Sequence, residues 1–225
     1  MAATGPRPAA AGSIPELAFE VVDADRVEHA AAPTLRFVLR IDSVSGRPIR
    51  SVMLDTQIRI AARRRSYDPE SHDRLFELFG APADWGTNLG SLLWTRTTSI
   101  VPPFGDSARV ELQVPCSYDL EVAASRYFDA LQGGDVPLEF MFSGTVFYST
   151  DAGLLQTVRI PWSHEAGYRM PVSLWKDTMA AYFPGSAWLR LDKERFDRLS
   201  AFRSRNALPT WDAAIDALLP PEGDG

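Results

Sequence analysis

His29, His72, His164 and Cys116 are the side chains of this sequence with the widest chemical range: metal ligation, proton transfer and nucleophilic attack. Two imidazoles on one helix face need i, i+4 spacing, and the three histidines stand far apart. Each has polar neighbours, in Val27-Glu28-His29, Ser71-His72-Asp73 and Ser163-His164-Glu165. They read as exposed loop or helix-surface residues; a metal site joining His164 and Glu165 to a distant ligand would have to be assembled by the fold. Cys116 continues the even spacing of Val110, Leu112 and Val114, which makes it a small apolar core residue. Its neighbours Pro115, Ser117 and Tyr118 supply neither a base nor the positive charge that a reactive thiolate needs. No Gly-x-Ser-x-Gly elbow and no Walker-type phosphate loop occur. Ser143-Gly144-Thr145 sits inside an apolar strand, where glycine marks a bulge or a close approach. Carboxylates are many but form no recognisable pair, although a glycosidase dyad would be non-local and invisible to spacing. The expectation is a protein without catalytic residues, metal or other cofactor. A hydrolase with a non-local site is one alternative.

Two basic sets and one aromatic excess remain. Arg63-Arg64-Arg65 extends a strand end, where charge blocks edge-to-edge pairing; an anion or RNA contact is the other reading, and only Tyr67 offers the aromatic interleaving that RNA binding uses. Arg190, Lys193, Arg195, Arg198, Arg203 and Arg205 alternate with Asp192, Glu194 and Asp197, the pattern of a solvated helix face with internal ion pairs. Trp162, Tyr168, Trp175, Tyr182, Phe183, Trp188, Phe196, Phe202 and Trp211 crowd the C-terminal part. Most are expected to fill a seam between helices and sheet. Trp188, Tyr168, Phe183 and Arg190 are the candidate interaction surface, because Trp, Tyr and Arg anchor interfaces. Phe140, Phe142 and Trp162 are the candidate lining of a ligand pocket between sheets.

The elements that must position these residues begin with Leu35 to Ile60. Leu35, Phe37, Leu39 and Ile41 share one face; after Ser45-Gly46-Arg47-Pro48, so do Val52, Leu54, Thr56, Ile58 and Ile60. Period-two alternation on both sides of a Gly/Pro turn reads as a hairpin of two paired strands. Leu17–Val22, Leu92–Val101, Arg109–Val114, Pro137–Tyr148 and Leu154–Trp162 add five more, the last with Val158, Ile160 and Trp162 inward. Pro137–Tyr148 is apolar on both faces and so should be central. Asp68-Pro69 opens a helix that Gly80 closes, with Leu75, Phe76 and Phe79 as its stripe. Ser117–Leu131 has helical spacing through Leu120, Ala124, Tyr127, Phe128 and Leu131. From Pro171 helices take over: Val172, Trp175, Met179 and Tyr182 on one face, then an Asp192-capped stripe of Phe196, Leu199 and Phe202, then a Thr210-capped turn with Trp211, Ala214, Ile215, Leu218 and Leu219. Strands first and helices last predict an α+β class: an immunoglobulin-like antiparallel β-sandwich of about seven strands with inserted helices and a C-terminal helical segment. The expected organisation is a disordered lead over residues 1–13, the sandwich over 14–165, helices packed on it over 166–219, and a flexible tail over 220–225.

The composition agrees with a globular body: 225 residues, 45% hydrophobic and 23% charged. A net charge of −6 disfavours nucleic-acid and anionic-membrane binding. One cysteine excludes an internal disulfide and a thiolate metal cage. No signal-peptide core or bilayer-length apolar run appears, so the expected location is cytoplasmic, without membrane insertion.

Ser45-Gly46-Arg47-Pro48-Ile49, Val136 through Tyr148, and Ala207-Leu208-Pro209-Thr210-Trp211-Asp212 resemble an uncharacterised actinobacterial protein family, a domain of unknown function, over about Ile14 to Leu219. The resemblance implies genes clustered with nickel–iron hydrogenases and their maturation factors. It therefore implies an accessory or assembly role, with a hydrogenase or maturation factor as partner. It carries over no catalytic residue. Subunits that hold the nickel site or iron–sulfur clusters need several cysteines, and this chain has one. Protein–protein interaction is the expected function, and a small-ligand-binding sandwich module is the other alternative.

Overall fold

In a computed structural model the described residues are 14–117, 119, 122–186 and 190–219. The expected disordered lead, the flexible tail, Leu120 and Trp188 lie outside them. The chain divides into two compact units, Met1–Ala187 and Trp188–Gly225.

The first unit holds two antiparallel sheets in a β-sandwich-like arrangement. One orders β1 (Leu17–Arg26), β2 (Thr34–Ser43) and β5 (Ser107–Pro115) as β1-β2-β5. The other orders β4 (Leu92–Val101), β3 (Ile49–Ile60), β6 (Asp135–Ser149) and β7 (Leu155–Ile160) as β4-β3-β6-β7, with β8 (Glu165–Pro171) also on β6. Aromatic side chains join the two layers. Phe37 on β2 meets Phe140 on β6 edge-on at 5.2 Å, and Phe19 on β1 stacks on Phe142 at 4.4 Å. Buried rings of this size contribute about 2–3 kcal/mol each.

Two expectations change. β2 and β3 do not pair with one another: β2 pairs with β1 and β5, and β3 with β4 and β6. The turn after Ser43 carries the chain from one sheet to the other, with Gly46 at φ +66. Alternation marks a strand's buried face, and both strands do bury theirs, but a face shared with a common core carries no information about the neighbour in the sheet. The second change concerns the segment after β7. Gly144 pairs with Ile160, and Met141 with Glu165, so three steps along β6 are matched by five along its partner. β7 and β8 are one edge strand interrupted by two extra residues, and the eight strands occupy seven positions. The insertion breaks the alternation at Pro161–His164. Trp162, expected inward, is 85% exposed. The boundary expected after residue 165 falls inside β8.

The inserted helices follow their caps. In α1 (Pro69–Phe79) the Asp68 carboxylate accepts from the Ser71 amide at 2.7 Å, and Gly80 at φ +72 ends the helix. Ser71, Leu75 and Phe79 are its buried residues. Phe76 lies one residue round from that stripe and is 58% exposed, against its expected place in it. α2 (Trp85–Asn88) is a single turn. α3 (Ala123–Ala130) buries Ala124, Tyr127 and Phe128, and Leu131 follows them inward. α4 (Val172–Tyr182) belongs to the first unit; its Trp175 stacks on Phe128 at 5.5 Å. The second unit contains α5 (Lys193–Arg205) and α6 (Trp211–Asp216), capped by Asp192 and Thr210 as their positions predict.

Gly144 shows how closely β6 and β3 approach. At φ +138, a Cβ there would stand 2.0 Å from the Met53 carbonyl oxygen, inside van der Waals contact with backbone. Gly144→Ala is expected to destabilise by about 3 kcal/mol, at the upper end of single-substitution effects. A lower denaturation midpoint with an unchanged slope would register it; Gly133→Ala, which meets nothing within 4 Å, serves as the control.

Candidate functional site

The three histidines occupy separate settings. His29 is exposed, with a left-handed φ of +58. His72 sits edge-on to Trp85 at 4.9 Å, and half-buried His164 edge-on to Phe19 at 5.6 Å. Among the described residues no group of three His, Cys, Asp or Glu side chains comes together to hold a metal ion. Cys116 is buried with its Sγ on the Val114 carbonyl at 3.5 Å, and desolvation pushes the thiol up to about 12. It stays protonated and unreactive across the physiological range.

The Arg63–Arg65 run is occupied by the protein itself. Arg63 donates to the Leu89 carbonyl at 3.1 Å and the Gly86 carbonyl at 3.3 Å. Arg64 pairs with Glu139 at 3.0 Å. Arg65 donates to the carbonyls of Asp135 and Gly133. The triplet ties loops and the start of β6 together, a role that neither an edge guard nor an anion contact describes. Nearby, the Tyr67 and Tyr127 hydroxyls meet at 2.7 Å, and Tyr67 donates onward to the Ala62 carbonyl at 2.6 Å. Burial raises both phenols, and each also feels the other. Spacing alone could not reveal this pair, which joins a loop to a helix.

Of the candidate interaction residues, Tyr168 is half-buried against Phe37, with its hydroxyl raised chiefly by desolvation. Phe183 packs partly buried on the core. Arg190 is exposed in the second unit. The candidate pocket residues do not come together as a lining: Phe140 and Phe142 are core residues, and Trp162 points outward. The opening between sheets lies elsewhere. It is a cleft of about 310 Å³ lined by Ile14, Leu17, Val146, Val158, Ile160 and His164.

Two of the larger concavities carry more than one arginine. The first, about 740 Å³, lies where three turns meet: Arg47–Arg50, Pro103–Gly105 and Ser149–Asp151. Arg47, only 6% exposed, donates from Nη1 to the Ser149 carbonyl at 3.2 Å and stands 3.5 Å from Asp151. The second lies within the C-terminal unit. Leu191, Leu199, Phe202 and Leu218 form its apolar floor, and Arg195, Arg198 and Arg205 its rim. α5 has no buried side chain. α5 holds α6 through Phe196 against Trp211 at 5.4 Å and the Arg203 guanidinium 4.0 Å from the Trp211 ring centre. The apolar stripe was visible as helical spacing; the arginine rim was hidden in what read as a solvated face.

The chain belongs to DUF6084, a family of unknown function, whose model matches residues 14–224. No curated protein matches it. Among solved structures it is similar to the CARDB domain of the PF1109 protein of Pyrococcus furiosus, at 9% identity and TM-score 0.27 over 69% of this chain and 91% of that one. The putative ApaA protein of Bordetella pertussis gives 13% identity and TM-score 0.26, over 69% and 94%. β-Glucosidase 3B of Thermotoga neapolitana gives 14% and 0.26, over 69% of this chain but 17% of the enzyme. No activity follows from likenesses at this level.

The buried thiol and phenols set an alkaline limit. Cys116, Tyr67 and Tyr127 have folded pKa values above their unfolded ones, near 8.5 and 10. Their contribution is complete below about pH 8 and declines as pH rises, because the unfolded chain releases these protons first. The expected result is a fall in unfolding free energy above pH ~8.5, about 1.4 kcal/mol per pH unit for Cys116 alone. Urea midpoints from pH 7 to 10 measure it, and Cys116→Ala should flatten the first part of the decline.

Proposed function

We propose that this protein is a non-catalytic interaction component, an accessory or assembly factor acting in the cytoplasm. In this reading its sandwich is of the immunoglobulin-like type and carries a C-terminal helical unit that docks on a protein partner. The observation that supports it is α5. It sets Arg195, Arg198, Leu199, Phe202 and Arg205 on one face at helical spacing, yet buries none of its side chains. A helix of this length is marginal alone and gains its stability by docking. Ala214 is the single buried residue of α6, so the two helices bury little between themselves.

The groove's chemistry selects the occupant. Leucine and phenylalanine on the floor call for an apolar stripe, and the rim is cationic. Arg195 is already paired with Asp192, whereas Arg198 and Arg205 engage no carboxylate among the described residues. The fitting partner is an acidic amphipathic segment of another protein, the helix-in-groove mode of recognition. The resemblance noted above makes a nickel–iron hydrogenase or one of its maturation factors the assembly in which to look for it.

Affinity purification of the full chain from native cells tests the proposal, with Arg198→Glu/Leu199→Asp as the comparison. The wild type is expected to retain a stoichiometric protein partner, released by raised salt. The double variant should lose it while the main melting transition stays in place. Absence of a stoichiometric partner, or equal retention by the variant, would overturn the docking surface. A retained hydrogenase subunit or maturation factor would support the assembly role; an unrelated protein would remove it.

A further inference from the structure

Arg47 is an unusual residue to find buried. A guanidinium has five N–H donors and keeps its charge at any pH of interest. Arg47 commits Nη1 to the Ser149 carbonyl at 3.2 Å and to a 3.5 Å approach to Asp151, whose side chain is 71% exposed. Its Cζ lies 5.8 Å from the Tyr148 ring centre. Nε is buried without a partner, and no contact of Nη2 occurs among the described residues. Removing such a group from water costs several kcal/mol unless its donors are satisfied. Arg65 also has a buried Nε without a partner, but it spends both terminal nitrogens on carbonyls, which Arg47 does not.

Arg50 lies across the same groove. Its Nε donates to the Ser149 hydroxyl at 2.9 Å, which aims the guanidinium, and its terminal nitrogens make no hydrogen bond among the described residues. The charged residues of the lining are Arg47, Arg50 and Asp151. The groove therefore carries a local excess of one positive charge on a chain whose net charge is −6. Pro48, Pro103 and Phe104 give the groove an apolar side, and Ser149 and Thr150 add polar groups to the lining. A volume of about 740 Å³ lies within the range of small-molecule sites. The walls are held in place by backbone: Ile49 and Phe104 exchange hydrogen bonds of 2.8 and 3.1 Å.

We propose that this groove binds a small organic monocarboxylate, its carboxylate between Arg47 and Arg50 and its apolar body against Pro48, Pro103 and Phe104. A monoanion cancels the excess charge, whereas a phosphate dianion would over-compensate it and leave the apolar wall uncovered. Arginine is suited to the task because its planar fork matches a carboxylate. The site is independent of the helical groove and stands or falls separately from it.

The test is a benzoate titration of the full chain, followed by amide chemical shifts, with inorganic phosphate as a second probe. The expected result is saturable movement of the Arg50, Phe104, Gly105, Thr150 and Asp151 amides with benzoate, and weaker binding of phosphate. Arg50→Gln, at an exposed position, should keep the fold and weaken benzoate roughly tenfold, the loss of one charge-assisted contact. Arg109→Gln, an exposed arginine on β5, should bind as the wild type does. Non-saturating shifts, equal binding by Arg50→Gln, or phosphate binding as tightly as benzoate would each overturn the proposal.

Discussion

The long central strand β6 sets the terms for the rest of the first unit. At fifteen residues it exceeds the usual strand length, and a strand of that reach exposes unpaired backbone unless both edges are covered. β3 covers one edge almost throughout. The other is covered in two stages, by β7 and then β8, with the Phe142 amide donating to the His164 carbonyl at 2.9 Å where they meet. Both ends of β6 are held by arginine on backbone carbonyls: Arg65 at Asp135 and Gly133, Arg47 at Ser149. The two clamps differ in one respect. Both leave Nε without a partner, but Arg65 spends its two terminal nitrogens on carbonyls, whereas Nη2 of Arg47 makes no hydrogen bond among the described residues, and that terminal nitrogen separates a clamp from a binding group.

What could be read from the sequence follows the range of the interactions. Helix caps are local, so Asp68, Gly80, Asp192 and Thr210 mark their helix ends correctly. Buried faces are nearly as local, and Leu35 through Ile41 and Val52 through Ile60 bury the residues that alternation selects. Strand partners are not local. A short turn containing Gly and Pro reads as a hairpin, yet the turn after Ser43 changes sheets, because the partners of β2 and β3 are chosen by distant strands. Trp162 shows the same limit. Two extra residues turn Trp162 outward, and because the insertion is even the same phase resumes inward at Ala166, Tyr168 and Met170; only the register against β6 reveals the interruption.

The candidate sites lay further from view for the same reason. Arg47 stood in a turn whose glycine and proline explained it adequately, and its significance depends on Ser149 and Asp151, about a hundred positions away. Arg63, Arg64 and Arg65 looked like one cluster with one purpose. The fold sends them to three different places, which a run of like charges cannot announce. Tyr67 and Tyr127 had no common motif either; a buried hydroxyl seeks any partner within reach, and the packing of α3 supplied one.

The two concavities also differ in how they can recognise anything. The groove at the end of the sandwich is walled by turns that hydrogen bonds hold in register, so its arginines are positioned before a ligand arrives. Pre-organisation lowers the entropy lost on binding, and a small ligand with few contacts depends on that saving. The groove in the C-terminal unit has a helix with no buried side chain and a floor of leucine and phenylalanine. Ordering such a surface costs free energy that only a broad contact can offset. A small acid would gain too little there. The backbone bonding of one wall and the unburied helix of the other thus argue for the size of each occupant, independently of the charges that argue for its sign.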